Sequence, residues 1–393
     1  RDNQGNTMDS YVQYNAGELR ETTSFDNSCS SINLAISGKV FEDSGNNGGP
    51  FTTGTDIAKS GVKVRIYREA DNNTIISNGD VYIAQQTTDG DGIYTFVPLP
   101  NYRYYVVVNS KEVYPVALNS GFAQTVPWAE QTFRREFVSG SYYDVQAFGG
   151  TDPLVSDNFA TWSTAVSASN FQHLSVVDLS EVTQAVTGID HGFSFNVVVN
   201  AVDTGNNGLR VSGNQGTLRQ FAINSNAIAG ANAARFVMMT SPNVSSGSDS
   251  WWTVTAISPL PDITDANTSL NGVVYNSQGA VVNSNQAVFG GGTAGVENVP
   301  VAQIQGKEIE INCNDLSHFV RTATGGIDFL LKNMAFFNGG GNLGDSFAPV
   351  ILNGPGFLLE SIVTGARANG TRPTDVLLNR RYGLIINSSG TLS

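Results

Sequence analysis

Between Ile36 and Asn109 apolar and polar residues alternate in short runs, and clusters of Gly, Asn, Asp and Pro separate the runs. The runs read ISGKVFED, SGVKVRIYRE and TTDGDGIYTFVPLPNYRYYVVVN. A period of two, punctuated by turn formers, is the pattern of half-buried strands and leaves little room for helix. It predicts an antiparallel sandwich of modest size. Val62, Val64, Ile66, Tyr94, Phe96, Tyr105 and Val107 should point inward, with Lys63 and Arg65 outward. In Thr88-Asp89-Gly90-Asp91-Gly92 the glycines permit positive φ where the connection is tight, which brings two carboxylates close together.

At 393 residues the chain exceeds one ordinary domain. Only 14% of residues are charged, against roughly a quarter in typical soluble domains, and glycine is abundant at 42. That balance suits a long, loop-rich β structure with a polar but weakly ionic surface. A net charge of -13 argues against nucleic acid or an anionic membrane as partner. No apolar run approaches the ~20 residues of a membrane-spanning helix, so no membrane span is expected. Because the sequence opens at Arg1, a removed signal segment is expected. Asn72, Asn243, Asn267, Asn369 and Asn387 stand in glycan-acceptor sequons, some of which arise by chance in an Asn-rich chain.

From residue 111 to about 193 two strand-like runs, around Tyr142 and Val176, read as a connecting β region. Beyond it, Thr217 followed three residues later by Gln220 is a capping-box signature. With Leu218, Phe221, Ala222 and Ile228 near helical spacing and Gly230 as a stop, it predicts a short amphipathic helix from Leu218 to about Ala229. Further on, GIDFLLKNM at 326–334 repeats as GPGFLLESI at 354–362, placing Phe329 and Phe357 28 residues apart (357 − 329). A third step of the same length lands on Ile385. Periods of this size mark stacked units that each leave an apolar face for the next to cover.

Two resemblances follow from these residues. Gly38-Lys39-Val40-Phe41-Glu42-Asp43, Gly61-Val62, Thr88-Asp89, Gly92-Ile93-Tyr94-Thr95-Phe96 and Leu99-Pro100 resemble the SdrD B-like and Cna B-like repeat domains of bacterial surface adhesins. Those domains are transthyretin-like sandwiches. The stretch GTLRQFAINSNAIAGANAARFV resembles the N-terminal capping helix and first strand of secreted right-handed parallel β-helix proteins, although Val211-Ser212-Gly213-Asn214 looks like an insertion. Together they imply an all-β chain: a transthyretin-like β-sandwich joined to a right-handed parallel β-helix with a short N-terminal capping helix. The expected divisions are an arm over 1–34, the sandwich over 35–110, the connecting region over 111–193 and the helix of strands over 194–393. The setting implied is extracellular or the cell surface.

Calcium prefers six to eight hard oxygen ligands. Asp43 with Asn46 on one turn, and Asp89 with Asp91 on another, offer them, and the corresponding loops of the resembled adhesins bind calcium. The alternative is that these residues form plain Asx-turns. The adhesins' Lys–Asn isopeptide bond would need Lys39 beside Asn109 and an acid, and no acid is obviously placed for it. Cys29 and Cys313 form either one disulfide, within the chain or between subunits, or two unpaired thiols. GxSxG, HExxH, Walker A and CxxC patterns are absent from the sequence, and His173, His191 and His318 stand isolated. Asp315, Asp328 and Asp345, or Lys332 beside Arg321, could stack on adjacent coils as a lyase or hydrolase requires, but solvated turn residues are the simpler reading. The chain is therefore expected not to be an enzyme. The leading expectation is an extracellular structural protein, a filament, sheath or surface-layer subunit that polymerises with itself. Tyr11, Val12 and Tyr14 of the N-terminal arm would add to a neighbour's sheet edge. An adhesin or carbohydrate-binding stalk facing surface glycans is the second expectation, and a polysaccharide lyase or hydrolase the third.

Overall fold

The alternation over Ile36–Glu42 sends Ile36, Gly38 and Val40 into an apolar interior and leaves Ser37 and Lys39 half-buried. A computed structural model of the chain describes residues 14–15, 18–19, 34–73, 75–159, 171–180, 184–324, 328–341, 347–374, 378–379, 382–388 and 390–392. The structure is predominantly β, and no helix among the described residues is long and apolar enough to cross a membrane.

The first half holds two facing sheets. In the six-stranded one, Ser141–Gln146, Glu130–Val138, His191–Ser194, Ile36–Glu42 and Ile57–Ala58 lie side by side, and Ile93–Phe96 pairs with the start of Ile36–Glu42. In the four-stranded one the order is Leu174–Asp178, Arg103–Val108, Lys63–Arg68 and Val81–Thr87, antiparallel throughout. Residue 110 is thus no boundary. Four strands between 130 and 194 complete both sheets, and His191–Ser194 inserts between Ile36–Glu42 and Glu130–Val138.

Val62, Val64, Ile66, Tyr94 and Phe96 pack in the interior between the sheets, as their alternation predicts. Tyr105 and Val107 do not join them. They face the opposite side of the four-stranded sheet, with Tyr67, Ile76, Phe171 and Leu174, while Tyr104, Val106 and Val108 take the interior positions. That outer face is covered rather than solvated, so alternation alone assigned the wrong half of this strand. Arg65 does point outward, yet it too is buried, its guanidinium 4.1 Å from the Phe159 ring centroid.

Gly38 shows why the strand carries glycine there. A Cβ at this position would run into the Ile189 carbonyl and the Tyr94 hydroxyl, which themselves hydrogen-bond. Gly38→Ala is expected to lower unfolding free energy by about 1–3 kcal/mol through overpacking. Urea denaturation with an unchanged midpoint would refute this.

The second half is built from three parallel sheets. The first runs Val197–Val198, Asn232–Phe236, Thr268–Val274, Leu330–Lys332, Phe357–Glu360 and Gly390–Leu392. The second carries Asp249–Thr255, Ile309–Asn312, Met334–Phe337 and Val363–Thr364, with Val244–Ser246 antiparallel on its edge. The third carries Val320–Arg321, Val350–Leu352 and Leu384–Ile386. The chain visits them in the same order on each circuit, so neighbouring strands of one sheet lie one circuit apart in sequence. Leu270, Leu331 and Leu359 stack in register in the first sheet, and Val254, Ile311 and Phe336 in the second; all enter one apolar core.

Phe329 and Phe357 occupy matching inward places one circuit apart, both buried in that core. The third step fails. Ile385 lies in the third sheet opposite Ile351, and Gly390 is what faces Phe357. The last circuit is longer because of its turn between the second and third sheets, so a constant period misplaces it. At the edges of the circuits, side-chain amides pair across neighbours. Asn333 donates to Asn271 at 2.9 Å, Asn338 to Asn312 at 2.8 Å and Asn387 to Asn353 at 2.8 Å.

A single α-helix among the described residues, Leu218–Ala227, lies between the two halves. The Thr217 hydroxyl accepts the Gln220 N–H at 3.2 Å, as the capping signature predicts. The return bond of a capping box is replaced, because the Gln220 amide donates instead to Asn224 at 2.8 Å. The helix is not amphipathic in its setting, since all ten residues are buried. Its polar side chains serve as clamps: Asn224 bonds the Trp128 backbone on both sides and the Phe195 carbonyl, while Asn226 bonds Thr264 and Asp262. Buried polar groups are tolerated when each finds such a partner.

Candidate functional site

The residues expected to bind calcium are placed in two separate turns, each closed by the protein itself. Asp43 is buried, and its two oxygens accept the N–H groups of Asn47 at 3.1 Å and Gly48 at 2.8 Å. Asp56 closes the same loop by accepting from Ser44 and Thr52. Asn46 takes positive φ (53°) and its side chain receives the Ser194 hydroxyl. Asp89 accepts from Asp91 at 3.0 Å and Ile93 at 2.8 Å, an Asx-turn, and Asp91 is exposed. Backbone N–H groups thus hold both oxygens of Asp43 and one oxygen of Asp89.

Carboxylates gather elsewhere. The loop joining Lys63–Arg68 to Val81–Thr87 brings Glu69, Asp71 and Asp80 together, their oxygens within 4.8 Å of one another. Asp80 caps the loop by accepting the N–H of Ala70 at 3.1 Å and Ser77 at 2.7 Å. Asp71 accepts from Asn73 and the Ser77 hydroxyl. Burial, followed by the charges of Asp71 and Glu69, raises the Asp80 carboxyl above its ordinary range. Beneath the loop, Ile76 packs with Tyr105, whose hydroxyl has no hydrogen-bond partner among the described residues.

A second polar cluster is sealed where the halves meet. Gln215 donates to the Ala129 carbonyl at 2.7 Å and to Nε2 of His173 at 3.0 Å, and its oxygen accepts the Asp157 N–H at 2.7 Å. Asp157 accepts from the Ser110 hydroxyl at 2.8 Å, and Trp128 donates to the same hydroxyl at 3.0 Å. Glu130 stands 3.9 Å from His173 and accepts the Gln131 N–H. Burial pushes the Glu130 carboxyl up to about 8 and Asp157 up to about 6. It pushes both His173 and His191 down to about 3. All four groups are fully enclosed, so this cluster holds the joint and is out of reach of a substrate.

The remaining expectations divide. Cys313 is buried in the stacked core and unpaired among the described residues; Cys29 lies outside them. Lys39 and Asn109 have other partners: the Lys39 ammonium sits over the Phe51 ring at 4.2 Å, and Asn109 caps a short turn at Lys111. Lys332 pairs with Glu360 and Arg321 with Asp262, each an ion pair between neighbouring strands or turns. His318 is buried beside Ser317, Asp315 has positive φ, and Asp345 lies outside the described residues, as do Tyr11 and Val12. Tyr14–Asn15 pairs with Glu18–Leu19 in a two-stranded sheet.

One surface feature was not anticipated. Between the first and second sheets, Val288–Gly290 pairs with Gln303–Gln305 and Thr293–Ala294 with Val299–Pro300, forming a projecting hairpin. Phe289 anchors its base against Trp251, Ala366 and the bare face of Gly370. Val288, Val299, Val301 and Ile304 stand exposed along it, and Val296 at its tip is 99% exposed.

No protein-family model and no curated protein sequence matches this chain. The reading of function therefore rests on its own residues. Val288, Val296, Val299 and Ile304 were legible as an apolar run broken by GGGTAG, a hairpin signal. Glu69, Asp71 and Asp80 were visible too, at the two ends of one inter-strand loop, but less conspicuous than Asp89-Gly90-Asp91.

Proposed function

We propose that this chain is an extracellular structural subunit that assembles with copies of itself. In this reading residues 194–393 form a parallel β-helix, which the repeated three-sheet circuit supports, and residues 34–194 a sandwich of the transthyretin-like kind. The observation that carries the reading is the projecting hairpin with its five exposed apolar side chains. Exposed apolar groups that project together mark contact surfaces. A second copy is the fitting occupant because Glu297 is the one charged residue from 286 to 305. Copies of a chain with net charge -13 repel elsewhere, and a nearly uncharged hairpin with open strand edges is where they can meet. The N-terminal arm with Tyr11, Val12 and Tyr14 belongs to the same proposal as a strand donor.

Negative-stain microscopy and sedimentation test it. The whole chain is expected to form concentration-dependent polymers, and Val296→Lys with Val299→Lys to remain monomeric at an unchanged melting temperature. Monodisperse wild type at high concentration, or polymers undiminished in the double variant, would overturn the hairpin contact. Removal of residues 1–27 separates the arm's role: polymers formed equally well without it exclude strand donation.

A further inference from the structure

Three carboxylates within 4.8 Å repel one another, and no Lys or Arg among the described residues lies within ion-pair distance of them. Arg103, whose charge reaches Tyr105, is already paired with Asp178 at 3.1 Å. One Glu69 oxygen is buried without a hydrogen-bond partner among the described residues. The second, independent observation is Tyr105. It is 1% exposed, it lies in the same apolar cluster as Ile76 of this loop, and its hydroxyl has no hydrogen-bond partner among the described residues. Buried O–H groups rarely stay unused, so this one points to something the site completes.

We propose that Glu69, Asp71 and Asp80 hold a calcium ion, with the Tyr105 hydroxyl donating to a ligating carboxylate. Hard anionic oxygens suit Ca²⁺, and water and loop carbonyls can fill its irregular shell more readily than the strict octahedron of Mg²⁺. The ion would fasten Glu69, just after Lys63–Arg68, to Asp80, just before Val81–Thr87, and so close the loop at both ends.

Terbium is the probe, because nearby Tyr105, Tyr67 and Tyr82 can sensitise its emission. The whole chain should show saturable terbium emission on tyrosine excitation, displaced by excess calcium, and calcium should raise its melting temperature by a few degrees. Glu69→Gln and Asp71→Asn leave the Asp80 bonds to Ala70 and Ser77 in place, and each is expected to weaken binding more than about tenfold. Tyr105→Phe should weaken it by about tenfold as the loss of a supporting hydrogen bond. Asp89→Asn should change nothing. Absence of sensitised emission, emission undisturbed by Glu69→Gln and Asp71→Asn, or emission lost with Asp89→Asn would each overturn the proposal.

Discussion

Replacing Arg219 by Leu is expected to cost the fold about 3–5 kcal/mol, the range for removing one partner of a buried ion pair. Arg219 is 1% exposed and forks onto both oxygens of Asp203. Its remaining N–H groups reach Asn207 and the carbonyls of Ser258 and Pro259. One side chain in the first turn of the helix therefore ties three segments together. Leucine would leave the Asp203 carboxylate enclosed with only the N–H groups of Ile257 and Gly205. Chemical denaturation reads the loss directly. Pairing Arg219→Leu with Asp203→Leu should recover part of it, because no charge then remains unpaired. A single-variant loss below about 1 kcal/mol would mean the pair is already hydrated, contrary to its burial.

Glu130→Gln is expected to reshape the dependence of stability on pH. The Glu130 carboxyl is held at about 8 in the fold against an ordinary 4.5, because burial disfavours its charged form. A raised carboxyl favours the fold fully below its unfolded value and loses that contribution as pH rises from 4.5 to about 8. Asp157 acts in the same direction between 3.8 and about 6. His173 and His191 act oppositely: held at about 3 against 6.5, they favour the fold above 6.5 and lose that as pH falls. Melting temperature should therefore peak in mildly acid solution and fall on both sides. Glu130→Gln keeps an oxygen to accept the Gln131 N–H but cannot ionise, so its alkaline decline should largely vanish while the acid decline persists. Parallel wild-type and variant curves from pH 4 to 9 would show that Glu130 does not govern the joint.

What could be read in advance followed from how local the signal was. Strand Ile36–Glu42 and the helix start at Thr217 are specified by near neighbours, through alternation and a cap, and both stand where expected. His191–Ser194 carries no alternation because all four residues are buried, so its place between two distant strands could not be inferred from spacing. Tyr105 and Val107 alternate correctly but face a second covered surface, which periodicity cannot distinguish from solvent. Glu130, Asp157, His173 and Gln215 come from four separate segments and become neighbours only through tertiary pairing. Asp43 and Asp89 carry the composition of a calcium loop, and backbone N–H groups fix them in two separate turns, an arrangement that residue identity alone does not reveal.

The amide pairs along the circuits also bear on how the molecule ages. Asn271, Asn338 and Asn353 each precede a glycine, the setting in which asparagine deamidates most readily, by attack of the next backbone nitrogen on its own side-chain carbonyl. Each is held in an amide pair with the adjoining circuit, which restrains the rotation that attack requires. Folded material should keep these three amides intact long after exposed Asn78, which also precedes a glycine, has converted. The pattern of conversion along the chain then becomes a chemical clock of how long each copy has spent unfolded.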